Sequence, residues 1–108
     1  MNKISGKIVN HDGSFTGTIE FGDKIESITK DKLSDFENII IPGFIDLHCH
    51  GGNGFDTMAG LSSIIEMSKY HLKHGTTTLL PTTLTATLND TIKAIDGLND
   101  FIYQNNNL

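Results

Sequence analysis

The sequence predicts an α/β fold in two parts, a small antiparallel sheet over residues 1–41 and two β/α units over residues 42–108. Two observations lead to this prediction. Short β-type segments separated by turn residues fill the first part, whereas strand-like and helix-like apolar segments alternate in the second part. Strand–helix alternation is typical of a parallel sheet. Two such units cannot close a barrel, which takes eight, and two parallel strands alone would expose a sheet edge and an apolar face. We therefore expect the second part to be the beginning of a larger α/β domain.

The first part contains four predicted strands, which are KISGKIVN, FTGTIEF, KIESITK and FENIII. Gly22 and Asp23 lie between the second and third of these segments, where they favour a tight hairpin. We expect the four strands to form an antiparallel sheet that carries no catalytic residue.

The second part begins with GFIDLHCH, which is predicted to be a buried strand. Residues 61–74 are predicted to form a helix with Ser63 and Glu66 at capping-box spacing and Gly75 as its stop. Residues 76–85 are rich in β-branched side chains and predict a second strand, with Pro81 near its end or at a bulge. Asn89 is then expected to cap a second helix. Its apolar face would consist of Ile92, Ile95, Leu98 and Ile102.

Composition excludes several classes of function. The formal net charge is −5 and the eight Lys and Arg residues are scattered, which argues against a nucleic-acid-binding surface. The longest apolar run, IIIPGFI, is too short to cross a membrane. Cys49 is the one cysteine, so an internal disulfide is impossible and a reducing compartment is favoured. We expect a cytoplasmic protein.

The histidines of the first β/α strand are the candidate chemical site. His48 and His50 lie two residues apart, so they share one face of a strand and can reach a single metal ion. Their place at the end of the first strand of a β/α series is where such folds keep their active sites. Asp46 shares this face and is expected to brace the site. The alternative is that both histidines are ordinary polar residues at a strand end.

Other polar residues in this region are given no metal role. HGGNGFD has no phosphate-loop spacing and no helix is expected directly after it, so a nucleotide site is rejected. Asp56 is expected to stabilise a turn. Cys49 should face away from the histidines as a small buried residue. His71 and His74 lie near the C-terminus of the first helix, where they favour the helix dipole.

Two longer stretches, PGFIDLHCHGGNGFDTM and GTTTLLPTTLTAT, resemble the opening of the N-acetylglucosamine-6-phosphate deacetylases of the amidohydrolase superfamily. This resemblance implies that the N-terminal strands belong to a small β-sandwich and that the rest begins a metal-dependent (β/α)8 barrel. It also implies that His48 and His50 bind a divalent metal, with zinc or iron favoured. The implied reaction is hydrolysis of N-acetylglucosamine 6-phosphate to glucosamine 6-phosphate and acetate by a metal-activated water. A phosphosugar is the implied partner, and the full-length form is expected to be a homo-oligomer.

The resemblance reaches only the first part of the family's pattern. The family's Glu ligand, later histidines, phosphate-binding residues and catalytic Asp would all follow Leu108, so no catalytic residue is assigned here. Because two histidines alone hold a metal weakly, we expect the 108 residues by themselves to be inactive. Two alternatives stay open. One is another amidohydrolase of the dihydroorotase or deaminase type, and the other is a non-catalytic remnant.

Overall fold

The computed structural model describes residues 1–32 and 35–105 of the chain. These residues belong to two compact units, with the boundary between Pro42 and Gly43. Within the described residues, neither helix combines the length and the apolar character that a membrane span requires.

The first unit is a four-stranded sheet with the strand order β3-β2-β1-β4. β1 and β2 pair antiparallel over their full length, from Asn2 opposite Phe21 to Asn10 opposite Gly13. Alternate residues of these strands point inward, and Ile8 and Ile19 are buried. This part of the sheet forms as the β-type segments predict. The four strands are Asn2–Asn10 (β1), Gly13–Phe21 (β2), Ile25–Lys30 (β3) and Ile39–Ile40 (β4).

The fourth strand differs from the prediction in length and direction. β4 has two residues rather than the six of FENIII, and it runs parallel to β1, with Ile39 opposite Lys7. β4 pairs with the edge of β1 that is opposite β2. At this edge, the backbone N–H of Lys7 donates to the Asn38 carbonyl at 2.9 Å. Gly6 permits this approach, since a Cβ atom on it would lie 2.4 Å from the same carbonyl oxygen.

The second unit follows the predicted order of strand, helix, strand and helix. β5 and β8 pair parallel, and α1 connects them. A small antiparallel pair, β6 and β7, and a one-turn 3₁₀ helix lie between β5 and α1. The elements are Phe44–Cys49 (β5), Gly51–Gly52 (β6), Phe55–Asp56 (β7), Thr57–Ala59 (3₁₀), Leu61–Lys73 (α1), Thr76–Pro81 (β8) and Leu88–Asn105 (α2).

The predicted helix caps are partly wrong. Ser63 lies in the first turn of α1, whose N-cap is Gly60 without a side-chain hydrogen bond. The cap of α2 is provided by Thr87 rather than Asn89, because the Thr87 hydroxyl accepts a hydrogen bond from the backbone N–H of Asp90 at 3.2 Å. The predicted stop of α1 is confirmed, since Gly75 follows the helix with φ of +94°.

The packing of α2 also differs from the prediction. Ala94 and Gly97 are buried residues of this helix, and a Cβ on Gly97 would lie 3.1 Å from the backbone nitrogen of Leu61. Small side chains therefore bring α2 close to the start of α1. Of the predicted apolar face, Leu98 is half-buried, whereas three of its residues are exposed, namely Ile92, Ile95 and Ile102.

Candidate metal centre

The two predicted ligands, His48 and His50, lie side by side where β5 ends. Their Nε2 atoms are 2.9 Å apart, and the two rings meet edge to face with centroids 4.7 Å apart. Two nitrogens bound to one ion at 2.0–2.1 Å lie about 2.9–3.4 Å apart for bond angles of roughly 90–110°. The arrangement of the two rings therefore fits a shared divalent ion, with His48 exposed and His50 half-buried.

The ring of His50 is oriented by the end of β8. Its Nδ1 atom lies 3.0 Å from the carbonyl oxygen of Thr82, and the backbone N–H of Thr82 donates to the Cys49 carbonyl at 2.7 Å. A carbonyl can only accept, so Nδ1 of His50 carries the proton and Nε2 presents its lone pair. This is the tautomer that a metal ligand at Nε2 requires. The role of Thr82 could not be predicted from its side chain because both contacts use its backbone atoms.

Asp46 was predicted to share a strand face with His48 and His50 and not with Cys49. In the structure its carboxylate instead lies near Cys49. One of its carboxylate oxygens accepts a hydrogen bond from the backbone N–H of His48 at 3.1 Å. The carboxylate also lies within 4.8 Å of both the Cys49 sulfur and a ring nitrogen of His71. Alternation would put Asp46 and Cys49 on opposite faces. The pairing of β5 with β8 shifts register between these two residues, and this irregularity breaks the alternation.

Cys49 is buried, as predicted, but it has a polar partner that the sequence analysis missed. Its Sγ atom lies 3.3 Å from Nε2 of His71, and the same ring nitrogen lies 3.1 Å from the Gly51 carbonyl oxygen. Burial raises the pKa of the Cys49 thiol. His71 is thus held against the end of β5. This position of His71 could have been predicted from its helical spacing, since it lies on the same face of α1 as Ile64 and Met67, which are both fully buried.

The glycine-rich segment after the histidines forms a tight hairpin. Gly51 pairs with Asp56 and Gly52 with Phe55, and a Cβ on Gly51 would lie 2.4 Å from the Phe55 carbonyl oxygen. Close backbone packing therefore requires Gly51 in the absence of any ligand. Gly54 adopts φ of +82° in the hairpin turn.

Asp56 stabilises the turn, as predicted. It caps the 3₁₀ helix, and its Oδ1 atom accepts from the backbone N–H of Met58 at 2.6 Å. The expectation that no helix follows the glycine segment directly is wrong, because this single 3₁₀ turn starts at Thr57. Thr57 is fully buried, and its backbone N–H donates to the His50 carbonyl at 2.9 Å. The turn therefore holds the backbone of a predicted ligand.

An apolar groove with a volume of about 500 Å³ is lined by residues of β5, β8 and α2 and by the residues that follow β8. Thr82, whose carbonyl orients His50, forms part of its wall. Most other wall residues are aliphatic side chains of β5, β8 and α2, among them Leu47, Leu79, Leu80, Leu98 and Ile102.

His71 and His74 are near the end of α1, as predicted, and Nδ1 of His74 lies within hydrogen-bond distance of the Tyr70 carbonyl oxygen, at 2.8 Å.

No protein-family model matches the chain. Among curated proteins, the N-acetylglucosamine-6-phosphate deacetylase of Bacillus subtilis is 41% identical over 61 residues, which are 56% of this chain and 15% of that protein. The adenine deaminase of Methanosphaera stadtmanae is 34% identical over 79 residues, which are 71% of this chain and 14% of that protein.

Two deacetylase structures are among the solved structures with a similar fold. The crystal structure of N-acetylglucosamine-6-phosphate deacetylase from Thermotoga maritima matches 96% of this chain with a TM-score of 0.86 and 32% identity. The deacetylase structure from Mycobacterium smegmatis matches 97% with a TM-score of 0.82, and at 21% identity it supports the fold alone. The chain spans 29% and 33% of these two proteins. By sequence and by fold, the chain is therefore homologous to the N-acetylglucosamine-6-phosphate deacetylases, of which it spans no more than about a third.

Proposed function

We propose that this chain contributes the first metal ligands of an enzyme that hydrolyses N-acetylglucosamine 6-phosphate to glucosamine 6-phosphate and acetate. The observation that carries the proposal is the 2.9 Å approach of the His48 and His50 Nε2 atoms at the end of a parallel strand. Homology to deacetylases supplies the class of substrate. The same proposal puts the activity in the cytoplasm, where a single buried cysteine stays reduced.

The proposal includes a finer assignment of the fold. Residues 42–108 would be the first two β/α units of a (β/α)8 barrel, and residues 1–41 would be strands of a small β-sandwich. The order β5-α1-β8-α2 and the parallel pairing of β5 with β8 support the first assignment. Three large apolar side chains on β5 are exposed, as expected for strands that face further barrel elements, namely Phe44, Ile45 and Leu47.

His48 and His50 would hold a divalent metal, with zinc or iron favoured by imidazole ligands. Such an ion would supply an activated water and would polarise the acetamide carbonyl. The chain's own contribution is orientation. The Thr82 carbonyl keeps the proton of His50 on Nδ1, and the Asp46 carboxylate fixes the backbone before His48. In the metal-free contact, His48 Nε2 would donate to His50 Nε2, so binding of an ion would require the His48 proton to move to Nδ1 of its own ring.

The 108 residues by themselves should not catalyse the reaction. The histidine pair supplies two protein ligands, whereas catalytic sites of this kind usually have three or more. We therefore expect no release of glucosamine 6-phosphate when the purified chain is mixed with substrate and zinc or iron. Release by the purified chain would contradict this part of the proposal.

A chimera tests the assignment of activity. Residues 1–108 would replace the matching segment of the Thermotoga maritima deacetylase, which this chain matches over 96% of its length. The chimera should release acetate from N-acetylglucosamine 6-phosphate, and its His48→Asn and His50→Asn variants should lose metal and activity. A folded chimera that binds metal but has no deacetylase activity would contradict the proposal.

A second candidate function is deamination. The adenine deaminase of Methanosphaera stadtmanae matches 71% of this chain, a larger share than the Bacillus subtilis deacetylase. The same histidine pair could serve either reaction, since both use a metal-activated water. A second chimera, built with that deaminase, would test this candidate. Ammonia release from adenine by the second chimera, together with no deacetylase activity in the first chimera, would favour deamination.

A further inference from the structure

We propose that Cys49, His71 and Asp46 form a second metal site, separate from the histidine pair, for a thiophilic divalent cation such as zinc. The three side chains come from β5 and α1, and their ligand atoms all lie within 4.8 Å of one another. The site would tie the end of β5 to α1 and would be structural rather than catalytic. The inference does not depend on the proposed function, because it uses neither His48 nor His50.

The distances suit a tetrahedral ion. Zinc bound by sulfur at about 2.3 Å and by nitrogen at about 2.0–2.1 Å holds these two atoms roughly 3.5 Å apart. The Cys49 sulfur and His71 Nε2 are 3.3 Å apart. The Gly51 carbonyl oxygen lies 3.1 Å from the same nitrogen and 3.5 Å from the sulfur. An oxygen from Asp46 would complete the protein ligands with a small movement, and the Gly51 carbonyl or a water would take the fourth position.

Charge and burial favour a metal at this place. A thiolate and a carboxylate together balance the two positive charges of the ion, and neutral imidazole adds none. The Cys49 side chain is 5% exposed and that of Thr57 beside it is fully buried, so water competes weakly for the ion. Binding releases the thiol proton to solvent, and the proton that His71 Nε2 directs at the Gly51 carbonyl moves to Nδ1 of the same ring, so that Nε2 presents its lone pair. No oxidation or reduction is involved.

Asp46 would connect the two metal sites. The Asp46 carboxylate, which accepts from the backbone N–H of His48, is also a member of the second site. An ion held by Asp46, Cys49 and His71 would therefore fix the backbone on both sides of His48. Without an ion, the same three side chains make only the hydrogen bonds described above, and this is the alternative that the experiment must exclude.

Cobalt(II) titration of the purified 108-residue chain tests the proposal. A thiolate bound to cobalt gives an intense charge-transfer band in the near ultraviolet, which imidazole and carboxylate ligands do not give. We expect this band at one equivalent of cobalt, its loss in Cys49→Ala, and binding at least about tenfold weaker in His71→Gln. The band should persist in the double variant His48→Asn/His50→Asn and in the control His74→Gln. Absence of the band, or unchanged affinity in His71→Gln, would overturn the proposal.

A measurement on the wild-type chain tests the second site without relying on variants, which could fail to fold. X-ray absorption of the zinc-loaded chain should show one sulfur among nitrogen and oxygen ligands, and Cys49 is the one cysteine that can supply it. A spectrum with nitrogen and oxygen alone would overturn the second site and would leave the histidine pair intact. Conversely, a sulfur ligand that survives His48→Asn/His50→Asn would support the second site even if the deacetylase proposal failed.

Discussion

The Nδ1 atom of His50 lies 3.0 Å from the carbonyl oxygen of Thr82, so the end of β8 orients the ring of a predicted metal ligand that follows β5. The two residues are 32 positions apart in the chain. The backbone of Thr82 also donates to the Cys49 carbonyl, and the two contacts together fix the ring relative to the strand. The ring orientation of His50 is therefore a product of the parallel pairing between two strands.

The first prediction concerns the tautomer of His50. Because Nδ1 faces a carbonyl, neutral His50 should carry its proton on Nδ1 and leave Nε2 unprotonated. Long-range ¹H–¹⁵N correlation spectra of the metal-free chain at pH 8 check this directly. His11, which lies in the turn between β1 and β2, provides the comparison ring. A spectrum with the proton of His50 on Nε2 would contradict the geometry.

The second prediction concerns Ser63, which packs α1 against β7. Its hydroxyl accepts from the backbone N–H of Asp56 and donates to the Asp56 carbonyl, both at 2.8 Å. Ser63→Ala leaves both part-buried backbone groups of Asp56 without this partner, so the free energy of unfolding should fall by about 1 kcal/mol. Urea unfolding followed by circular dichroism measures this change. The control is Ser62→Ala on the exposed face of the same turn, and equal effects of the two substitutions would refute the role of Ser63.

The third prediction separates the observed cap of α2 from the cap predicted by sequence. The Thr87 hydroxyl accepts from the backbone N–H of Asp90 and donates to its carboxylate at 2.7 Å. Thr87→Ala should therefore destabilise the chain by about 1 kcal/mol. Asn89→Ala lies inside the helix and should have little effect. The thermal midpoints of the two variants decide between them, and a larger loss for Asn89→Ala would show that the helix begins later.

The fourth prediction is a pH dependence in the first unit. Hydrogen bonds from Lys3 and then Ser27, together with the charge of Lys3, lower the pKa of Glu20 below its ordinary value of 4.5. A carboxyl whose pKa is lower in the folded chain stabilises the fold above its unfolded-state pKa and loses this contribution as the pH falls. The stability difference between wild type and Glu20→Gln should therefore be small at pH 7 and should vanish towards pH 3.

Urea midpoints at the two pH values measure this difference. Glu37→Gln removes one negative charge from an exposed position of the same unit and serves as the control. A Glu20→Gln difference that grows as the pH falls would contradict the direction of the pKa change.

Local features of the fold were predicted from the sequence, whereas features that depend on contacts between distant residues were not. Periodicity placed β1, β2 and α1 close to their observed bounds, because side-chain alternation and helical spacing are properties of neighbouring residues. The start of β8 was correct, but the strand ends at Pro81 rather than at residue 85. The direction of β4 was wrong, because this strand pairs with residues of β1 that lie 32 positions earlier in the chain, and local alternation does not specify the direction of such a pairing. The cap at Ser63 was wrong because its hydroxyl has a better partner in the Asp56 backbone. The apolar face of α2 was misplaced because close helix packing selects Ala94 and Gly97.

The same division applies to the candidate site. The sequence by itself determined that His48 and His50 share a strand end, because residues two apart on a strand project to one side. Only the tertiary structure decided the ring orientation of His50, since a backbone carbonyl of another strand sets it. It also decided that Cys49 meets His71 and Asp46, because a register shift in the pairing of β5 with β8 overrides alternation. Local spacing specifies which side chains can meet, and strand pairing and helix packing specify which of them do.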